Sequence, residues 1–259
     1  GTIAHMLFDR DFIGSETDHT FGAHVRLDDI SDVGLYKTQN RTRISTIRED
    51  DVLELSLAAY YQNEIHWTDK FRTVFGMRGD YFNFDVDSDN SANSGKENDF
   101  LLSPKLNLIY TATESLELYA GAGLGFHSND ARGTTITVDP SSGASVTQVD
   151  PIVKSRAVEA GARLTWSEKL NSSVSIWSLE LDSELLFVGD AGTTEATTGS
   201  RRYGIEFANF YRPSDWITFD LDLAFTEAEF DNNPAGSEIP GALATVLSTG
   251  FTLASEVGM

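Results

Sequence analysis

The chain has 259 residues and a formal net charge of −21, with 40 acidic against 19 basic side chains. That balance argues against a nucleic-acid partner, because a phosphate backbone attracts Lys and Arg. The absence of cysteine excludes a disulfide framework, a Cys-ligated zinc site and a thiol nucleophile, and no apolar run approaches the ~18 residues of a transmembrane helix.

The opening Gly1-Thr-Ile-Ala-His-Met6 has no basic region followed by an apolar stretch, so it does not read as a secretion signal. Beyond it, helical periodicity is nearly absent and side chains repeat with period 2. About eleven strands are predicted, near residues 20–28, 34–45, 52–67, 70–85, 100–111, 115–126, 155–167, 170–188, 200–212, 215–229 and 243–254. In the stretch from Phe71, one face reads Phe71, Thr73, Phe75, Met77, Gly79, Tyr81 and the other Arg72, Val74, Gly76, Arg78, Asp80, Phe82. From Leu102, Leu102, Pro104, Leu106, Leu108 and Tyr110 alternate with Ser103, Lys105, Asn107 and Ile109. From Trp177, the apolar set Trp177, Leu179, Leu181, Leu185, Phe187 opposes Ser178, Glu180, Asp182 and Glu184. Tyr203, Ile205, Phe207, Asn209 and Tyr211 oppose Arg202, Gly204 and Glu206, and Ile217, Phe219, Leu221, Leu223 and Phe225 oppose Asp220 and Asp222.

The gaps alternate in length. Thr68-Asp69-Lys70, Thr113-Glu114-Ser115, Ser167-Glu168-Lys169 and Pro213-Ser214-Asp215 read as tight turns. Asp85–Asp99, His127–Lys154, Val188–Ser200 and Glu227–Pro240 read as long polar loops. Aromatics gather beside the short turns, at Tyr61, Trp67, Phe71, Tyr110, Trp166, Tyr211 and Trp216, where an interfacial girdle would sit.

Strands of a soluble sandwich usually run ~5–6 residues, whereas a tilted strand crossing the hydrocarbon layer needs ~9–11. Carboxylates stacked two apart, as at Glu180, Asp182 and Glu184, would be costly in a packed core and stay hydrated in a water-filled lumen. The reading is therefore all-β: a transmembrane antiparallel β-barrel wall, with short turns on the periplasmic side and long loops outside. A mean hydropathy of −0.23 agrees, since only one face of such strands is apolar. Single-chain bacterial barrels carry an even number of strands, so the odd count predicts an internal stretch of a longer wall.

At Gly123-Leu-Gly-Phe-His-Ser-Asn-Asp-Ala-Arg-Gly133 the chain resembles a motif of TonB-dependent outer-membrane receptors, where a strand ends in a glycine-rich segment entering an extracellular loop. Arg26-Leu-Asp-Asp29, Gly34-Leu-Tyr-Lys-Thr38, Tyr60-Tyr-Gln-Asn-Glu64, Trp67-Thr-Asp-Lys-Phe-Arg72, Gly76-Met-Arg-Gly-Asp-Tyr81, Ser103-Pro-Lys-Leu106 and Ser200-Arg-Arg-Tyr-Gly-Ile-Glu206 continue the resemblance in order. It implies a barrel of about 22 strands around an N-terminal plug domain. It also implies uptake of a scarce nutrient, such as a ferric siderophore or cobalamin, powered by the inner-membrane TonB complex. On this resemblance residues 1–259 are a partial receptor barrel in the bacterial outer membrane, without the plug, the TonB-contacting segment or the terminal strands. The implied partners are outer-membrane lipid, the receptor's own plug, the TonB complex and a small nutrient ligand such as an iron complex; no cofactor and no enzymatic activity are implied.

Two other readings stay open from the residues alone. One is a passive porin-like channel. The other is a soluble all-β binding module, in which Phe75, Leu106, Leu181, Phe207 and Phe219 would be covered by a second sheet.

Several local patterns invite chemistry and do not support it. Asp85, Asp87 and Asp89 open like a calcium loop, but Asn90 and Lys96 stand where Gly and Glu would be needed. Gly121-Ala-Gly-Leu-Gly125 has neither the spacing nor the following helix of a dinucleotide site. His127, Ser128 and Asp130 would splay to opposite sides of an extended segment and cannot form a hydrolase triad. His5, His19, His24, His66 and His127 show no metal-ligand spacing. The remaining candidates are charges expected on the lumen face, Arg72, Arg78, Asp80, Arg163, Glu180, Asp182, Glu184, Arg202 and Glu206, with Glu159, Asp220 and Asp222 among them. Recognition of a ligand is expected in the long loops, above all at His127, Asn129, Asp130 and Arg132.

Overall fold

A computed structural model of the chain describes residues 2–9, 14–188, 193–231 and 236–254. It has strands β1 (Thr2–Asp9), β2 (Glu16–Gln39), β3 (Thr42–Thr68), β4 (Phe71–Ser88), β5 (Gly95–Thr113), β6 (Leu116–Ser128), β7 (Ile152–Ser167), β8 (Leu170–Leu181), β9 (Leu185–Val188), β10 (Thr193–Ala196), β11 (Ser200–Ser214), β12 (Ile217–Phe230) and β13 (Thr245–Leu253), and one short helix, α1 (Ala131–Thr135). Eleven strands form a single sheet in the order β1 to β8, then β11, β12, β13, and β9 pairs with β10 apart from it. Every pairing in the large sheet is antiparallel. Consecutive hairpins thus build the wall without a crossover, as short turns require.

Residues paired across a ladder share a face. Following the pairs Gln62↔Gly76, Gly76↔Lys105 and Lys105↔Gly123 carries one face from β3 to β6, and Glu117↔Arg163, Arg163↔Ser173, Ser173↔Ala208 and Ala208↔Asp222 carry it to β12. We term it the inner face, because α1 packs against it: Ala131 joins Val52, Phe84 and Val86 in a small buried cluster. The opposite face carries Phe75, Leu106, Ile176, Phe207, Phe219 and Leu247, all exposed. A second covering sheet would bury these side chains, so the soluble sandwich is excluded. The all-β barrel wall is the fold.

The structure redraws several element boundaries. The predicted strands 20–28 and 34–45 are parts of one long β2 and the start of β3, which turn at Asn40-Arg41. Both turn residues have positive φ, 51° and 64°, the backbone a tight two-residue hairpin needs. Arginine there gives no turn signature, so the turn escaped a reading by residue type. The interval between those two predicted strands is instead a bulge, with Asp32 at φ 57° and the register shifting between Ile30 and Val33. The predicted loop Asp85–Asp99 is mostly strand, since β4 runs to Ser88 and β5 begins at Gly95. Strand 170–188 breaks after Leu181 into the separate β9–β10 hairpin. Three of the four tight turns fall where predicted, and the fourth is displaced to Asp215-Trp216 because β11 runs on through Pro213 to Ser214. Positions 189–192 of the loop Val188–Ser200, positions 232–235 of the loop Glu227–Pro240 and the closing segment 255–259 lie outside the described residues.

Glycines on the inner face make room for a cross-strand neighbour. Tyr119 lies over Gly161, its direct partner, and Trp177 over Gly204. Large rings therefore lie flat against the wall instead of projecting from it.

Candidate functional site

The inner face is the candidate site, and its polar side chains form three groups along the strands. Nearest the short turns, Arg72 on β4 reaches Glu64 at 3.1 Å and Glu117 at 2.9 Å, and Arg163 on β7 reaches the same Glu117 at 2.7 Å. One carboxylate on β6 thus ties β4, reached over β5, to β7. Arg163 also lies 4.5 Å over the Tyr119 ring, whose hydroxyl donates to Glu159 at 2.8 Å.

Halfway along the wall, Arg78 grips Asp80 through Nε and Nη2 at 2.7–2.9 Å, and Asp80 is only 1% exposed. The Nη1 of Arg78 is 3.1 Å from Nδ1 of His24 on β2. A forked guanidinium satisfies a buried carboxylate with two parallel bonds, which is why the pair tolerates burial.

At the long-loop end, the segment after β6 folds back over the inner face. Asp130 caps α1 by accepting from the Arg132 amide at 2.9 Å, and its carboxylate is bridged by the Arg132 guanidinium at 2.7 Å. Burial alone would raise the Asp130 pKa, but the Arg132 guanidinium and amide outweigh it and hold the carboxyl below its ordinary value. The Arg132 guanidinium is in turn raised by Asp130. The buried pair Arg48–Asp50 on β3 lies below, with Arg48 donating to the Arg132 carbonyl at 3.4 Å. Asn93, fully buried at the β4–β5 tip, accepts from the amides of Thr137 and Val138 at 3.0 Å and donates to the Val138 carbonyl at 2.9 Å. Asn129 closes the neck of the loop by donating to the Asp150 carbonyl at 2.6 Å.

Of the residues expected on the lumen face, Arg72, Arg78, Asp80, Arg163, Arg202 and Glu206 lie on the inner face by register, as do Glu159, Asp220 and Asp222. Glu184 joins them by pairing with Arg202 at 2.5 Å and accepting from Ser200. Glu180 does not: its partner Arg156 and its neighbour Arg201 are on the outer face, and Asp182 is drawn to the same Arg156 at 3.7 Å. Trp177 and Leu179 take the inward positions instead, and Leu181 shares their face. The alternation was read correctly and given the wrong hand, because alternation separates two faces and only the ladder register says which of them turns inward.

His127 stands on the inner face opposite Val153, while Asn129, Asp130 and Arg132 gather at the folded loop. Asp85 and Asp87 lie on a strand, not a calcium loop, and Asp85 is bound by Lys96 at 2.5 Å. Among the described residues no cluster of His, Asp or Glu could hold a metal ion. Arg48, Asp50, Asn93, His24 and Phe126 were not anticipated. Only His24 left a signal, a polar residue two positions from Gly22 and Arg26 on one face; Asn93 and Arg48 depend on a loop returning from about 40 to 85 residues away, as their separations of 45 and 84 record.

A family model for the TonB-dependent receptor-like β-barrel matches residues 3–255. A search of curated proteins gives no match. Among solved structures, the alcaligin outer-membrane receptor FauA from Bordetella pertussis is similar over 97% of this chain and 42% of its own, with a TM-score of 0.69 and 14% identity. The ferric citrate transporter FecA in its unliganded form is similar over 96% and 38%, with a TM-score of 0.72 and 17% identity. The copper transporter OprC is similar over 88% and 38%, with a TM-score of 0.64 and 15% identity. The chain spans about two fifths of the length of these proteins.

Proposed function

The chain belongs to the TonB-dependent receptor β-barrel family, and from that premise we propose that it forms part of the wall of an outer-membrane receptor for active uptake of a scarce nutrient. The observation that carries the reading is the two-sidedness of the wall. An exposed apolar outer face suits hydrocarbon, and the opposite face holds hydrated, cross-linked charges with a folded loop over its outer end. In this reading the inner ion pairs, Arg72–Glu117–Arg163 and Arg78–Asp80 foremost, stiffen the wall against a plug domain. The loop carrying Asn129, Asp130 and Arg132 takes part in ligand recognition, with His127 at its base.

The cargo is proposed to be a metal complex of the ferric-siderophore kind. The neighbour named for ferric citrate supports an iron complex, and the one named for copper marks how far this fold's cargo varies. The TonB complex would act through a part of the receptor other than this wall.

The test is uptake of radiolabelled iron complexes by cells that depend on the full-length receptor, with and without TonB. Energy-dependent uptake that disappears with TonB is expected. Uptake indifferent to TonB would instead indicate a passive porin-like channel, and recovery of the receptor in the soluble fraction without detergent would reject the membrane reading altogether.

A further inference from the structure

The β2–β3 hairpin outruns the rest of the wall. Asp50 is the last residue of β3 to pair with β4, so from Arg48 to Thr42 the strand pairs with β2 alone. At ~3.3 Å per residue that makes a two-stranded ribbon about 23 Å long. From Val33 to Arg48 the sequence carries the cations Lys37, Arg41, Arg43 and Arg48 and no carboxylate, in a chain with 40 acidic against 19 basic side chains. The turn sharpens that contrast. Asn40 and Arg41 have φ of 51° and 64°, a conformation in which glycine would be relaxed at the second position. Arginine accepts backbone strain there and sets a cation at the apex.

The two sides of the ribbon differ. On one, Arg48 is buried, paired with Asp50 and donating to the Arg132 carbonyl of the folded loop. The other continues the outer face, because Gly34 pairs with Glu49, in one row with Asp51 and Leu53. There the Tyr36 side chain lies over Gly34 and its hydroxyl donates to Glu49 at 2.9 Å. Arg43 stacks on the Tyr36 ring, 3.4 Å from its centre, and spends Nη2 on Glu49 at 2.6 Å and Thr46 at 2.7 Å. Its Nε and Nη1 donors have no hydrogen bond among the described residues. Lys37 and Arg41 are exposed and make no ion pair among the described residues. Addition of a further strand does not suit this edge. Register shifts at Leu35/Tyr36 and Lys37/Thr38 leave Ile47 and Ile44 without ladder partners, and such bulges twist an edge away from pairing. The ribbon offers charge and donors, turned away from the inner face.

We infer that this hairpin binds the phosphorylated core sugars of the surrounding outer-leaflet glycolipid, through Lys37, Arg41 and Arg43. The inference rests on the receptor reading above, in which the change from Leu53 to Asp51 along the outer row marks the limit of the hydrocarbon layer. The ribbon rises from that level, above phosphates held at the membrane surface and among those borne on sugars. Cations on one preformed ribbon suit a polyanion, because each phosphate reached strengthens the same contact. The ligand is leaflet-borne because Arg43 faces outward and the base of the ribbon is fixed beside the exposed apolar row.

The test uses the full-length receptor in detergent, with binding measured by thermophoresis. The probes are lipopolysaccharide with a phosphorylated core, the same molecule with its core phosphates removed, lipid A without core sugars, and the released core oligosaccharide. The phosphorylated lipopolysaccharide should bind tightest. Lys37→Gln combined with Arg41→Gly should weaken it by about tenfold, and raised salt should shrink that difference. Arg41→Gly relieves the positive φ, so the variant should melt no earlier than the wild type and its weaker binding cannot be laid to misfolding. Affinity for the phosphorylated probe unchanged in the variant overturns the inference. An equal loss with lipid A or with the dephosphorylated probe does so too, placing the contact at the membrane surface or off the phosphates. Released oligosaccharide that binds as tightly as the intact glycolipid would make the ligand a soluble glycan and also overturns it. Fractionation of the receptor separates the two readings. Recovery without detergent fails the receptor, whereas a detergent-requiring receptor without preference for the phosphorylated core fails the hairpin site alone.

Discussion

Asp130 serves two purposes at once, capping α1 through the Arg132 amide and neutralising the Arg132 guanidinium. Its carboxyl is held below the ordinary value, so its contribution is complete above the unfolded carboxylate range and is lost as pH falls through the depressed folded value. Hydrogen exchange of residues 131–135 should stay slow from neutral pH to about pH 4 and quicken only below it, and Asp130→Asn should remove that dependence. Glu117 poses the complementary problem, because two arginines share it. Among the described residues, Glu117→Gln leaves Arg72 with Glu64 as its one ion-pair partner and Arg163 with the Tyr119 ring. Since these groups are partly hydrated, a loss of about 1–2 kcal/mol is expected in urea unfolding from detergent. Arg72 and Arg163 were legible as lumen charges because each sits in a period-2 run. Glu117 was not, because nothing local distinguishes it from any other acidic strand residue.

At the scale of elements, the loop between β6 and β7 is held by a side chain and not by a strand. Asn93 offers the amide edge that a neighbouring strand would, taking two N–H groups and giving one to a carbonyl. Asn93→Ala removes both functions and leaves the Thr137 and Val138 amides without that acceptor, a local cost of about 2–3 kcal/mol. Protease cleavage within residues 136–149 and amide exchange there should accelerate, with the strand amides of β4 and β5 unaffected. Cleavage at the wild-type rate would show that Ala131, the Arg48–Arg132 contact and the hydrogen bond from Thr137 Oγ1 to the Ala92 carbonyl suffice to hold the loop. The long strands and their tight turns could be read from alternation and from turn-forming residues such as Thr68-Asp69-Lys70. The Asn40-Arg41 turn and the Asp32 bulge could not, because backbone conformation there is imposed by pairing between β2 and β3.

For the whole molecule, the proposed function turns on which face would meet lipid. The hydrophobic pattern gives the two faces but not their hand, and on β8 it assigned Glu180 inward where register places it outward. The hand follows only from pairing, since one strand fixed by α1 fixes all the others through the continuous ladder. Two adjacent residues on β11 make the assignment measurable. Phe207 is on the outer face, 38% exposed and opposite Val174 and Leu223, while Glu206 faces inward opposite Ser175 and Ala224. Phe207→Arg should destabilise the receptor refolded into lipid vesicles by ~2–4 kcal/mol, the cost of a lipid-facing arginine near the bilayer midplane. Glu206→Arg, one residue away on the same strand, keeps a charge in water and should change stability by no more than about 0.5 kcal/mol. Equal effects would mean that both faces are wetted, as in a wall that does not border lipid. The reverse order would invert the sheet, and with it the placement of Arg72, Arg78 and Lys105 on the inner face.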